Sequence, residues 1–165
     1  MTAPTSVPLS DWALAADGRR LQLHATGVAV EGQGIVIRGA AGSGKSCLAL
    51  RLLDRGAVLI ADDGLWIDTG DAPFVERPDT ATDLIESRGV GLLRAGAVCG
   101  RAPLAIAVDL DRAEPERLPP RRVITTGAAE RPLILGAGHP ALAEALVHMI
   151  RHGRSEPGGR IASAP

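Results

Sequence analysis

Eight consecutive residues, Gly39-Ala40-Ala41-Gly42-Ser43-Gly44-Lys45-Ser46, satisfy G-x-x-x-x-G-K-[ST] at every fixed position. Glycines at these places let backbone N–H groups converge on a polyphosphate, and a helix starting at the end of the run adds the positive end of its dipole. Lys45 would supply a compact ammonium to β- and γ-phosphates, and a hydroxyl at Ser46 is of the kind that ligates Mg²⁺. The 18 basic residues of the chain are 17 arginines and this one lysine. It stands where the wide, planar guanidinium fork is a poor substitute for a point charge. A glycine-rich turn that merely leads into a helix is the competing reading.

Asp62 and Asp63 end a later apolar run, where P-loop nucleoside triphosphatases commonly set the carboxylate that supports Mg²⁺. Two adjacent carboxylates permit a division of labour, with one near the metal and one as general base toward a hydroxyl nucleophile. Asp-Asp-Gly is also ordinary turn chemistry. A guanine-reading Asn-Lys-x-Asp is excluded, because the only lysine is already in the loop.

The elements that must position these groups follow from the apolar pattern. Gly34–Arg38 predicts a buried strand running into the glycine-rich turn. Leu48, Ala49, Leu52 and Leu53 recur at helical spacing up to a C-terminal glycine, Gly56, and Ala57–Ala61 predicts a second buried strand. A helix of about eleven residues runs back about 16 Å, so a crossover makes the two strands parallel, both ending on one sheet edge. Residues 19 to 31 alternate in two bursts around Gly27, as two strands or a hairpin would. Leu65–Asp68, Gly91–Leu93, Leu104–Val108 and Arg122–Thr125 predict further strands. Pro140 opens a last helix with Leu142, Ala145, Leu146, Met149 and Ile150 as its apolar face.

A length of 165 residues suits one compact domain. The expected organisation is a loose N-terminus at 1–10, a single P-loop domain at 11–152 and a disordered tail at 153–165. A net charge of −1 with scattered arginines gives no basic face for nucleic acid, and Trp12, Trp66 and Phe74 are too few for a base-stacking platform. The first ten residues lack the features of an export signal, and the apolar runs are too short for a membrane span. Cys47 and Cys99 make neither a disulfide framework nor a zinc site, which fits a reducing cytoplasm.

Four blocks together resemble the catalytic domain of the HPr kinase/phosphorylase family, in its short form without an N-terminal domain. They are Leu23-His-Ala-Thr-Gly-Val-Ala-Val30, Arg38-Gly-Ala-Ala-Gly-Ser-Gly-Lys-Ser46, Asp54-Arg-Gly56 with Ile60-Ala-Asp-Asp63, and Ile85-Glu-Ser-Arg-Gly-Val-Gly-Leu92. The resemblance implies an α/β fold, a P-loop-containing mixed β-sheet flanked by helices of the HPr kinase and PEP carboxykinase type. It implies ATP- and Mg²⁺-dependent phosphorylation of a serine on HPr, the carrier protein of the sugar phosphotransferase system, and hexamers as in the long relatives. Carried over by motif, Lys45 holds phosphates, Ser46 and Glu86 hold Mg²⁺, Asp63 takes the serine proton, and His24 neighbours the reaction. Arg88 shares an extended face with Glu86, and Arg117 in Pro-Glu-Arg-Leu resembles the family's Asp-Arg-Leu-Gly arginine.

The chain departs from the long enzymes at Cys47, where they carry an acidic residue. Around Arg131 to Gly138 it lacks a counterpart of the Arg/Pro/Gly block tied to phosphorolysis. These departures point to kinase rather than phosphorylase activity. A kinase of another protein or small hydroxyl substrate, and an ATP-binding regulatory module without transfer, are the alternatives. A small buried residue at a helix start is the expectation for Cys47.

Overall fold

The structure is a computed structural model that describes residues 5–156. Its framework is a curled eleven-stranded sheet. At the centre lie β4 (Ala25–Val30), β5 (Gln33–Arg38), β6 (Val58–Ala61) and β11 (Arg101–Asp109). The glycine-rich turn leads from β5 into α1 (Lys45–Leu53), which returns to β6 through Gly56 at φ 93°. Strands β5 and β6 do run in the same direction, but they do not touch. β4 lies between them, antiparallel to both, with Gly27 opposite Val36 of β5 and Ala61 of β6. The two bursts around Gly27 are therefore not a hairpin. The first, β3 (Arg20–Leu23), pairs with β2 (Ala13–Asp17) and β7 (Leu65–Asp68), and the second is β4.

β11 joins the two halves of the sheet. Its first residues pair antiparallel with β8 (Phe74–Glu76), while Leu104–Asp109 run parallel to β5. Beyond it come β13 (Ala129–Leu135), β12 (Arg122–Thr126) and β1 (Thr5–Pro8). The Glu-x-Arg-Gly-x-Gly block forms a separate two-stranded ribbon, β9 (Leu84–Ser87) with β10 (Gly91–Arg94).

The period-2 alternation of the central strands divides two cores. Val28, Val30, Ile35 and Ile37 point to one face, where they meet Leu48 and Leu52 of α1 and Leu142, Leu146 and Ile150 of α2 (Leu142–His152). Ala29 and Val36 point to the other, against Leu23, Leu65, Ile67 and Val75 of the antiparallel strands. Each such buried aliphatic side chain contributes about 1.5–3 kcal/mol relative to exposure. Gly27 is small for a packing reason: a Cβ there would stand 2.9 Å from Leu65 Cδ2 and 3.2 Å from Val75 Cγ1.

Two expectations are corrected. Residues 5–10 are not a loose end: β1 pairs in parallel with β12, and the following 3-10 helix, Leu9–Trp12, buries Leu9 and Trp12. Long-range pairing orders a segment whose own composition gives no strand signal. In α2 the buried stripe is Leu142, Ala143, Leu146, Val147 and Ile150, with Ala145 exposed, and the helix starts after an N-cap at Ala141, so that Pro140 precedes it. Residues 1–4 and 157–165 of the expected ends lie outside the described residues. No helix among the described residues is long and apolar enough to cross a membrane.

Candidate active site

The loop Gly39–Ser46 sits at the C-terminal end of β5 and winds into α1. Gly42 and Gly44 take φ of 81° and 99°, a left-handed conformation that glycine adopts without steric cost. At Gly39 the constraint is proximity, since a Cβ would stand 2.8 Å from Ser43 Cβ and nearer still to its Oγ. Lys45 is buried, and its Nζ donates to Gly39 O at 2.7 Å and Ala40 O at 3.3 Å. An ammonium has three N–H donors, so one remains beyond the loop's own carbonyls.

A chain of polar contacts braces the loop from β11. Ala40 N donates to Asp111 Oδ1 at 2.8 Å, Asp111 N donates to Asp109 Oδ1 at 2.9 Å, and Arg38 Nη1 donates to Asp109 Oδ2 at 3.1 Å. Asp109 is 1% exposed, and the Arg38 guanidinium lies 5.1 Å from the Trp12 ring centroid, within reach of a cation–π contact. None of these residues stands out in the sequence. Aspartates after a strand read as turn residues until the chain closes.

Asp62 and Asp63 follow β6 on the same edge, and their surroundings differ. Asp62 Oδ1 accepts from Ser46 Oγ at 2.9 Å and from Thr26 Oγ1 at 2.8 Å, and its Oδ2 accepts a longer bond from Glu86 N at 3.4 Å. Asp63 has φ 64°, a left-handed conformation uncommon for a non-glycine residue, and its backbone N donates to Thr26 Oγ1 at 3.4 Å. The Asp63 side chain is two-thirds exposed, and its Oδ1 is 3.2 Å from His24 Nε2. His24 is the single residue linking β3 to β4, which is why an alternating segment delivers it to the sheet edge.

One cleft is lined by Ala41, Gly42, Gly44, Lys45, Ser46, Asp62, Asp63, Glu86 and Arg88. Gly39, Ala40 and Ser43 form the part of the loop behind it. Arg88 follows β9 and brings its guanidinium within 3.9 Å of where a Gly42 Cβ would lie, so a cation overhangs the glycine loop. Two expectations fail here. Arg117 lines a different groove, with Leu133, Leu146 and Met149, because the segment between β11 and β12 that carries it is tied at Ala113 to Gly136, just after β13. Cys47 is exposed and lines the P-loop cleft, since the first turn of α1 turns that side outward. Thr26 is the site-edge residue that sequence reasoning passed over: nothing in an apolar strand marks one threonine as facing a carboxylate.

The donor set suits Mg²⁺ brought in by a nucleotide. Among the described residues no three His, Cys, Asp or Glu side chains converge as a metal cage. A hard cation that keeps water and phosphate ligands needs only one or two protein oxygens, and Ser46 and Asp62 present theirs together.

The model of the HPr serine kinase C-terminal domain matches residues 16–114. The chain belongs to this family. HPr kinase/phosphorylase of Azoarcus sp. strain BH72 is 33% identical over 129 residues, covering 73% of this chain and 41% of that protein. The Lactobacillus acidophilus protein of the same name is 34% identical over 116 residues, covering 66% and 36%. The Mycoplasmopsis pulmonis protein is 42% identical over 83 residues, covering 50% and 27%. The match to these family members therefore spans 27% to 41% of their length. In fold, the chain matches the Hpr(Ser) kinase/phosphatase structure from Coxiella burnetii with a TM-score of 0.65 at 24% identity, over 79% of this chain and 88% of that one. The expected P-loop α/β fold of the HPr kinase type is thus the observed one, with both α-helices packed against the same core.

Proposed function

We propose that the chain is an ATP- and Mg²⁺-dependent kinase that phosphorylates a serine of HPr in the cytoplasm, within an oligomer as the family resemblance implies. The observation that carries this reading is the separation of the two carboxylates. Asp62 is held by Ser46 and Thr26 beside the phosphate loop, while Asp63 is exposed and meets His24. A module that only binds ATP needs the first carboxylate and has no use for the second.

In this reading the glycine loop and Lys45 hold the β- and γ-phosphates, and Ser46, Asp62 and Glu86 provide the oxygens for Mg²⁺. Bound Mg²⁺ supplies charge neutralisation to the phosphates. Asp63 accepts the proton of the incoming serine hydroxyl as the serine oxygen bonds to the γ-phosphorus and the bond to ADP breaks. His24 orients Asp63: an Nε2–H donor at 3.2 Å suits the Nε2-protonated neutral ring and the imidazolium alike. Arg88 adds positive charge over the loop. Phosphoryl transfer depends mainly on such positioning and charge.

The test is incubation of the purified protein with γ-labelled ATP, Mg²⁺ and HPr. Label on a serine of HPr is the expected result. Nucleotide binding without transfer to HPr, under conditions where a long homologue works, would overturn the reading.

A further inference from the structure

Thr26 lies in β4 with no exposed surface. It occupies the same side of the strand as Val28 and Val30, at the end of an apolar stripe. Valine would fill nearly the same volume, so packing alone gives no reason for a hydroxyl, which must be satisfied when buried. Its partners are the two carboxylate residues. Oγ1 donates to Asp62 Oδ1 at 2.8 Å and accepts from Asp63 N at 3.4 Å. One hydroxyl thus uses its proton on the first aspartate and a lone pair on the backbone of the second.

Asp62 Oδ1 receives two hydroxyls from different elements, Thr26 from β4 and Ser46 from α1. Without the Thr26 hydroxyl, Asp62 keeps only Ser46 Oγ at 2.9 Å and the long bond from Glu86 N at 3.4 Å. Asp63 sits in a left-handed conformation that its neighbours must maintain, and Thr26 is the side chain that bonds its amide.

We propose that Thr26 is a positioning residue of the kinase site, fixing Asp62 against Ser46 for the magnesium nucleotide and holding the backbone from which Asp63 projects. The proposal rests on the kinase reading for its link to transfer, but its decisive measurement is a binding one.

Calorimetric titration with ADP, with and without Mg²⁺, compares wild type, Thr26→Val and Thr26→Ser. In Thr26→Val the affinity for metal-free ADP stays within about twofold. The gain that Mg²⁺ adds falls about 10- to 100-fold, the usual effect of removing an outer-shell partner. Thr26→Ser restores most of that gain, and the melting temperatures of the three proteins agree within a few degrees. With HPr as acceptor and Mg²⁺ present, kcat falls in Thr26→Val and KM for ATP rises with the lost Mg²⁺ gain, and Thr26→Ser recovers both. A Thr26→Val protein that keeps the full Mg²⁺ gain overturns the proposal, as does equal loss in the valine and serine variants. Should the valine variant fail to fold, Thr26→Ala against Thr26→Ser makes the same comparison. Wild type that binds magnesium ADP but never labels HPr defeats the choice of acceptor and leaves the Thr26 result readable.

Discussion

His24 Nε2 and Asp63 Oδ1 stand 3.2 Å apart, although the two residues come from different places in the chain: the link between β3 and β4, and the turn after β6. Both side chains are substantially exposed, so the pair adds little to stability. Its consequence is orientation. Replacing Asp63 with Asn should lower transfer to HPr about 10²- to 10⁴-fold, the usual contribution of a general base, with ATP affinity nearly unchanged. His24→Ala should cost less, because it removes only the orienting partner. Steady-state kinetics with direct ATP binding separates the two, and unchanged transfer in Asp63→Asn would refute its role.

Lys45→Arg keeps the charge and changes its shape. The ammonium is buried against Gly39 O and Ala40 O, a space that a planar fork does not fit. Loss of one charge-assisted contact of about 1.5–3 kcal/mol predicts roughly 10- to 100-fold weaker ATP binding, measurable by titration. Retained affinity and transfer would remove Lys45 from the phosphate site.

Asp111 tests the brace on the loop. Asp111→Ala leaves Ala40 N without its acceptor and should weaken ATP binding about fivefold, the equivalent of about 1 kcal/mol. Asp111→Asn retains a carbonyl oxygen and should stay near wild type. Equal loss in both variants would point to the charge rather than the hydrogen bond.

Glu114 gives a pH signature away from the site. The Arg122 guanidinium hydrogen-bonds it at 2.7 and 2.8 Å and holds its carboxyl below the ordinary value of 4.5, although burial works the other way. A lowered carboxyl pKa means the unfolded chain takes up its proton first as pH falls. The stabilisation is therefore complete above pH 4.5 and is lost as pH drops through the lower folded value. Thermal melts of wild type and Glu114→Gln should differ at neutral pH by about 1–3 kcal/mol. The difference should vanish in acid, and a difference constant across this range would reject the assignment.

The phosphate loop and its flanking elements were legible because their signals are local: apolar runs bounded by glycine, with helical spacing between them. β8 and β13 were not, since Phe74–Glu76 is only three residues long and Ala129–Leu135 mixes charge and proline with its apolar residues. Gly27 looked like a break between strands because a sequence cannot tell a turn glycine from one that makes room for Leu65 and Val75. Asp62 and Asp63 were singled out by their place at a strand end and Glu86, Arg88 and His24 by position in a motif, and the structure brings these five to one sheet edge. Arg117 was misplaced by the same reasoning, where its neighbours no longer matched the family pattern. Thr26, Asp109 and Asp111 act through contacts 36 to 71 residues away in sequence, which no local pattern announces.

The insertion of β4 between β5 and β6 also orders events in time. The strand that carries the phosphate loop and the strand that ends in the two aspartates are held side by side only through a third, made earlier on the ribosome than either. Once β5 emerges it can pair at once with β4, but the loop acquires its carboxylates only when β6 closes on the opposite edge of β4. The glycine loop is thus made before the groups that complete its surroundings: the aspartates come with β6, Glu86 and Arg88 with β9 and the turn after it, and the brace from Asp109 and Asp111 with β11 and the residues that follow it.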